Sequence, residues 1–198
     1  VFQNGKIKTR GIETRRHDTP PWIAQVQLEM IKRLAKVSQT PDGRSLSRTI
    51  PGLIIFLRKQ IEDLRNGRVP LENLLVSQRL SREIAAYRVP SPACRAAMQL
   101  EAINKPRRPG QRIRFWFIRG EGVVHAWDLE TVVEISALDT ERYTTLLLRA
   151  ASAILQPLGV TEAELRQAAL GDVWQLPLPM NQESTSRFLF GELNLVLQ

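Results

Sequence analysis

The chain has a single cysteine, Cys94, in 198 residues. One thiol forms no internal disulfide and makes no zinc site alone. Aromatic residues are sparse at 6%. No segment approaches the roughly 20 consecutive apolar residues needed to span a bilayer, so no membrane partner is expected. The two histidines, His17 and His125, lie far apart in sequence and have no metal-ligand spacing to Cys94 or to a carboxylate. Also missing are a nucleophile elbow, a phosphate-cradling glycine loop and a paired-histidine zinc motif. Glu62-Asp63 sit among basic neighbours and read as solvated ion pairs, not as a catalytic pair. No catalytic residue and no metal ligand is predicted. Neither an initiator Met nor a signal-peptide pattern stands at Val1. The expectation is a chain that begins inside a longer protein or has been trimmed, with a cytoplasmic location.

What is present is ordinary globular material: 43% hydrophobic and 24% charged residues. That suffices for one compact domain or two small subdomains, and excludes a disordered tail, a collagen-like fibre and a disulfide-stapled miniprotein. The net charge of +8 conceals a division. Residues 1–119 carry 24 Lys and Arg against 9 Asp and Glu; residues 120–198 carry 4 against 11. Arginine supplies 22 of the 28 basic residues. A high-GC coding bias explains arginine over lysine, but not the asymmetry between halves. A guanidinium fork suits phosphate oxygens, so the front of the chain reads as a polyanion-binding surface.

The pattern along the chain predicts an α+β fold, mainly helical, with an N-terminal β-hairpin and a small second sheet. Asn4-Gly5 is a hairpin turn signal, and Lys6, Lys8 and Arg10 share one strand face. Thr19-Pro20-Pro21 starts a helix carrying Trp22, Ile23, Val26, Met30, Ile31 and Leu34 at helical spacing. A polar loop over residues 38–47 precedes a second helix, with Pro51 near its start and Asn66-Gly67 at its end. The segment 71–77 reads as a strand, and Ser81 as the cap of a brief helix to Tyr87. Ser91-Pro92 heads a helix through Ala102. Strands are expected at 113–118, 123–127 and 131–135. Asp139 caps a long helix from Thr140 to Gln156, and Thr161 with Glu164 forms a capping box. Four divisions follow: a hairpin and junction at 1–18, a helical part at 19–104, an α/β part at 105–170, and a tail at 171–198.

Within the basic half, arginines gather with small polar residues at element boundaries. The clusters are Thr14-Arg15-Arg16, Arg79-Leu80-Ser81-Arg82, Tyr87-Arg88 and Arg107-Arg108-Pro109-Gly110. Helix starts at Ser81 and Ser91 would add backbone N–H groups that favour anions. Mixtures of this kind position a phosphate backbone without reading its sequence.

The residues also resemble a family. Gly5-Lys6-Ile7, then Arg10-Gly11-Ile12-Glu13 and Arg15-Arg16-His17-Asp18-Thr19-Pro20-Pro21, look like the end of the palm in archaeal-type family B DNA polymerases. The order continues through Leu80-Ser81-Arg82, Tyr87 and Ser91-Pro92, then Arg108-Pro109-Gly110 and the strand Arg114 to Ile118. It closes with Asp139 to Tyr143 and Ile154-Leu155-Gln156-Pro157-Leu158-Gly159. The resemblance covers roughly residues 3 to 165 and is carried by this ordered series, not by one diagnostic motif.

It implies the thumb, which grips the primer–template duplex through its backbone. Arg15 and Arg16 would lie at the palm–thumb junction. Ser81, Arg82, Tyr87, Arg88 and Ser91 would line the surface facing the backbone, with Arg108 in a neighbouring loop. Ala93 stands where the family commonly has His after the motif's proline. The acidic signatures of the polymerase palm are absent, so the complete polymerase would use Mg, while this chain alone is expected to be inactive and to need a palm-containing partner. Family members often end in a sliding-clamp peptide. Gln175-Leu176-Pro177-Leu178-Pro179-Met180 resembles the bacterial type, with Gln175, Leu176 and Leu178 as its clamp-binding residues; Gln182 with Phe188 resembles the archaeal and eukaryotic type less well. Two alternatives remain beside a polymerase part: a stand-alone, non-catalytic accessory protein bridging DNA to a polymerase or clamp, and an unrelated enzyme such as a nuclease.

Overall fold

The computed structural model describes residues 18–38, 44–120 and 123–171. The predicted N-terminal hairpin, Arg15, Arg16 and the clamp-like residues Gln175, Leu176 and Leu178 lie outside those residues. The described fold is α+β. Its helices are α1 (Pro21–Ser38), α2 (Arg44–Arg65), α3 (Pro92–Ala102), α4 (Thr140–Leu155) and α5 (Glu162–Leu170). Strands β1 (Val76–Arg79), β2 (Arg112–Phe117) and β3 (Val124–Ala126) form one antiparallel sheet in the order β1-β2-β3. Two compact units result, and their limits fall inside α1, α2 and α4.

The first unit takes residues 23–63 and 145–171 of the described chain. Ile23, Val26, Met30 and Ile31 of α1 are buried, as are Leu53, Ile54, Leu57 and Ile61 of α2. Spacings of three and four residues put each set on one helix face, which is why both helices bury a stripe. Two polar side chains tie this unit together. Gln27 is buried and donates from Nε2 to the Ala150 carbonyl of α4 at 2.8 Å. Arg58 donates from Nε to the Ala168 carbonyl at 2.8 Å, and its guanidinium also reaches the Gly171 carbonyl. A cation there meets the carbonyls that the end of α5 leaves without helical partners. At the other end of α5 the Thr161–Glu164 capping box is complete, with Glu164 N–H donating to Thr161 Oγ1 and Thr161 N–H donating to Glu164 Oε2. Those bonds hold the Glu164 carboxyl below its usual range.

The second unit takes residues 18–22 and 64–144. Val76 pairs with Phe115, Gln78 with Ile113 and Arg79 with Arg112, while Phe115 also faces Ala126 and Phe117 faces Val124. Alternation puts Val76, Ile113, Phe115, Phe117, Val124 and Ala126 on one face, and all are buried. Helix α3 packs against β2 and β3. Its buried Ala93, Ala96 and Ala97 are small enough for the close approach. Cys94 is buried beside them, and that burial raises its thiol pKa.

Two side chains complete the sheet where strands stop. Gln99 of α3 accepts from the Ala126 N–H at 2.9 Å and donates to the Val124 carbonyl at 2.6 Å. Its carboxamide thereby pairs the outer edge of β3, which otherwise presents unpaired backbone groups. On the other side, Phe117 N–H donates to the Tyr143 phenol at 3.1 Å, and the phenol donates to the Leu74 carbonyl at 2.8 Å. Leu74 and Phe117 are where the β1–β2 register, continued two residues beyond Val76–Phe115, would place its next hydrogen-bonded pair.

Several predicted elements differ in extent or type. Pro51 lies inside α2, not near its start, because α2 begins at Arg44. Residues Leu71–Leu74 form a short 3₁₀ turn, and the strand begins only at Val76. The brief helix after Ser81 is a 3₁₀ turn at Ile84–Ala86. Ser81 does not cap it; the Ser81 hydroxyl pairs with Tyr87 instead. No strand forms over 131–135. Gln99 already occupies the β3 edge, and the chain rejoins β2 only through Arg119 N–H to the Ala137 carbonyl and Asp139 N–H to the Phe117 carbonyl. Asn66-Gly67 does end α2: Gly67 has φ +68, and a Cβ there would stand 2.7 Å from Ile135 Cγ2. Ser91 and Asp139 cap α3 and α4 as the sequence indicates, through the N–H groups of Cys94 and Arg142.

Replacing Gln99 with Leu should orphan both β3 edge groups and lower unfolding free energy by about 1–3 kcal/mol, read by denaturant titration. Burial holds the Tyr143 phenol far above its usual 10.0. The unfolded chain therefore releases this proton first, and stability should fall as pH rises above that value. The part of this alkaline slope due to Tyr143 should vanish in Tyr143→Phe.

Candidate nucleic-acid interface

The segment from β1 to α3 is built around Tyr87. After β1, Leu80 is buried and keeps the ladder going: its N–H donates to the Gln111 carbonyl at 3.0 Å, and Gly110 N–H donates to the Leu80 carbonyl at 2.7 Å. The chain then leaves the sheet, and Ser81 and Arg82 emerge exposed. The 3₁₀ turn at Ile84–Ala86 brings Tyr87 back onto them. Ser81 N–H donates to the phenol oxygen at 3.1 Å, and the two hydroxyls lie 2.9 Å apart. The Arg82 guanidinium stands over the Tyr87 ring, 5.4 Å from its centroid, a cation–π contact that orients the cation. Ser91 begins α3, accepting from Cys94 N–H at 3.2 Å.

These residues open onto a groove of about 440 Å³ lined by Asp18, Ser77, Gln78, Arg79, Ser81, Tyr87, Ser91, Ala93 and Arg112. Burial by itself would raise the Tyr87 pKa. The Ser81 hydroxyl and amide, the Arg82 amide and the Ser91 hydroxyl outweigh it and bring the phenol below 10.0. The phenol oxygen accepts from the Ser81 N–H, and in its bond with the Ser81 hydroxyl either oxygen can donate. The groove wall is thus rich in donors: hydroxyls, a phenol, guanidiniums and the first turn of a helix. That inventory suits an anion. Among the described residues, no three His, Cys, Asp or Glu side chains are grouped so as to hold a metal ion. None of the described helices is long and apolar enough to cross a membrane.

Of the residues singled out in sequence, Ser81, Tyr87 and Ser91 meet in this groove, and Arg82 stands beside them on the Tyr87 ring. Arg88 and Arg108 are exposed but do not line it. Arg107, next to Arg108, is ion-paired with Asp128 at 2.6 Å, and Arg114 shares that carboxylate at 3.5 Å. Sequence reasoning placed Arg79 in one of the arginine clusters but not among the site residues, and it did not single out Ser77, Gln78 or Arg112 at all. The alternation of Arg112-Ile113-Arg114 signals a strand face carrying two cations, but which residues lie across from it is set only by strand register.

Comparison with known proteins gives a consistent result. The model of DNA polymerase family B matches residues 2–158. DNA polymerase 1 of Saccharolobus solfataricus is 26% identical over 166 residues, covering 83% of this chain and 18% of that protein. The DNA polymerase of Desulfurococcus sp. strain Tok is 24% identical over 196 residues, covering 89% and 23%. The solved structure of the family B DNA polymerase from the hyperthermophilic archaeon Pyrobaculum calidifontis aligns with a TM-score of 0.52 at 17% identity, over 81% of this chain and 18% of that one. That likeness is one of fold. The chain spans about a fifth of the length of these relatives. Because the family match runs through most of the sequence, from the first basic segment to the end of the helix that carries Tyr143, the chain belongs to DNA polymerase family B.

Proposed function

We propose that this chain is the thumb part of a family B DNA polymerase and grips the primer–template duplex by its backbone. The observation that carries the reading is the groove in which Tyr87, held by Ser81, meets the Ser91 start of α3 beside the Arg82 guanidinium. Donors of this kind take phosphate oxygens, contacts that position a backbone without carrying sequence information. The groove therefore suits a surface that must hold duplexes of any sequence. The charge distribution supports the same reading, since the basic excess lies in residues 1–119, which include the groove and the Arg15-Arg16 segment. In this reading nucleotide transfer, with its magnesium ions, belongs to a palm-containing partner or chain segment carrying the acidic motifs, and this chain alone does not polymerise.

Anisotropy titration of the 198-residue chain with a labelled primer–template tests this. The logarithm of affinity should fall linearly with the logarithm of salt, by about 0.9 for each phosphate neutralised, with little dependence on sequence. Charge reversal at Arg82, Arg15 or Arg16 should weaken all duplexes alike and lower that slope. Tyr87→Phe should weaken binding by roughly two- to tenfold and leave the slope unchanged, because it removes a hydrogen bond and no charge. Binding insensitive to salt, or no binding even beside a palm-containing partner, would refute the proposal.

A further inference from the structure

In the groove, β1 and β2 place Arg79 directly opposite Arg112. The neighbouring Leu80 N–H bonds to the Gln111 carbonyl, so Leu80 and Gln111 occupy a hydrogen-bonded position of the ladder. Antiparallel alternation then assigns Arg79 and Arg112 to the next, non-hydrogen-bonded position, where facing side chains stand closest. In such pairs Cβ atoms typically stand about 4.5–5.5 Å apart, and like charges so placed destabilise a sheet. Elsewhere in this chain arginines find carboxylates: Arg33 takes Glu29, Arg65 takes Glu141, and Arg107 and Arg114 share Asp128. Arg79 and Arg112 are both exposed, and neither has a carboxylate partner among the described residues. Asp18, the one carboxylate lining the groove, makes an interaction of its own within the protein.

An unrelieved pair of facing guanidiniums calls for an anion between them. We propose that Arg79 and Arg112 together hold a single phosphodiester of a nucleic-acid backbone, each guanidinium taking one of its two non-bridging oxygens. This rests on the duplex-gripping reading above and adds to it a specific subsite. A backbone phosphate is favoured over a free one because the groove of about 440 Å³ far exceeds one phosphate and continues past the hydroxyls of Ser77, Ser81 and Ser91. A chain of phosphates, not an isolated ion, would use that whole wall. With a phosphate bound, the repulsion across the strands becomes a shared attraction, and the register that creates it is retained.

The test compares Arg79→Gln, Arg112→Gln and the double variant in the 198-residue chain. Without ligand at low salt, each single variant should melt about 1–3 °C higher than wild type, because a like-charge contact is relieved. Duplex affinity should drop on the order of tenfold in each single variant. The double variant should be scarcely weaker than either single one, since the two side chains share one phosphate. The pair Arg79→Lys with Arg112→Lys keeps both charges and loses the fork, so it should weaken binding while preserving the salt slope. Inorganic phosphate at millimolar concentration should raise the melting temperature of wild type much less than the duplex does.

Losses that simply add would mean two separate phosphates and would overturn the shared subsite. Wild-type affinity and slope in the double variant would overturn it too, while leaving duplex gripping intact. If the duplex fails to bind wild type, yet inorganic phosphate protects wild type and not the double variant, the pair holds a free anion. That outcome overturns both the backbone assignment and the gripping reading.

Discussion

The Tyr143 phenol holds the second unit together at the point where its sheet comes apart. Strands β1 and β2 share four rungs, from Arg79–Arg112 to Val76–Phe115. Two residues further on, Leu74 has turned into a 3₁₀ segment and can no longer meet Phe117 directly. Tyr143 fills the gap from α4, accepting from Phe117 N–H and donating to the Leu74 carbonyl. Its ring packs edge-on against Phe117, with centroids 5.7 Å apart. Leaving those two backbone groups unpaired in the interior would cost more than the bonds contribute net. So one side chain links α4, β2 and the segment leading into β1, and fixes the register that the groove inherits.

From that register the candidate interface follows. The same alternation that buries Val76, Ile113 and Phe115 sends Ser77, Arg79, Arg112 and Arg114 to the other face. On the far side of the sheet, the Gln99 carboxamide closes β3, so its edge offers no template for a further strand. The basic residues also divide by role. Arg58 serves carbonyls at the end of α5, and Arg107 is held by Asp128, so their charges are spent inside the protein. Arg79, Arg82 and Arg112 have no such carboxylate among the described residues and stand in or beside the groove. Total charge is therefore a poor guide to this surface; pairing decides which arginines remain to meet an anion.

Much of the fold was legible where the signal was local. The caps at Ser91, Asp139 and Thr161, the Gly67 stop and the apolar stripes of α1, α2 and α4 each depend on residues within a turn or two of one another. Errors came where distant parts decided. Pro51 suggests a helix start on local grounds, yet α2 extends back to Arg44. Alternating residues over 131–135 suggest a strand, yet the edge they needed was taken by Gln99, and Val132 is left 87% exposed. Ser81 has the chemistry of a cap, but the phenol six residues on captured its hydroxyl.

The sequence by itself determined the α+β class, the family to which the chain belongs, the concentration of positive charge in residues 1–119, and the choice of Ser81, Tyr87 and Ser91 as candidates. All of these are written in residue type and near-neighbour order. Only the tertiary structure decided that those three share one groove, that Arg107 is neutralised while Arg82 is not, and that Arg79 faces Arg112. The reason is physical: a cross-strand neighbour is set by hydrogen-bond register between segments more than thirty residues apart, and a shift of one residue would turn every side chain to the other face.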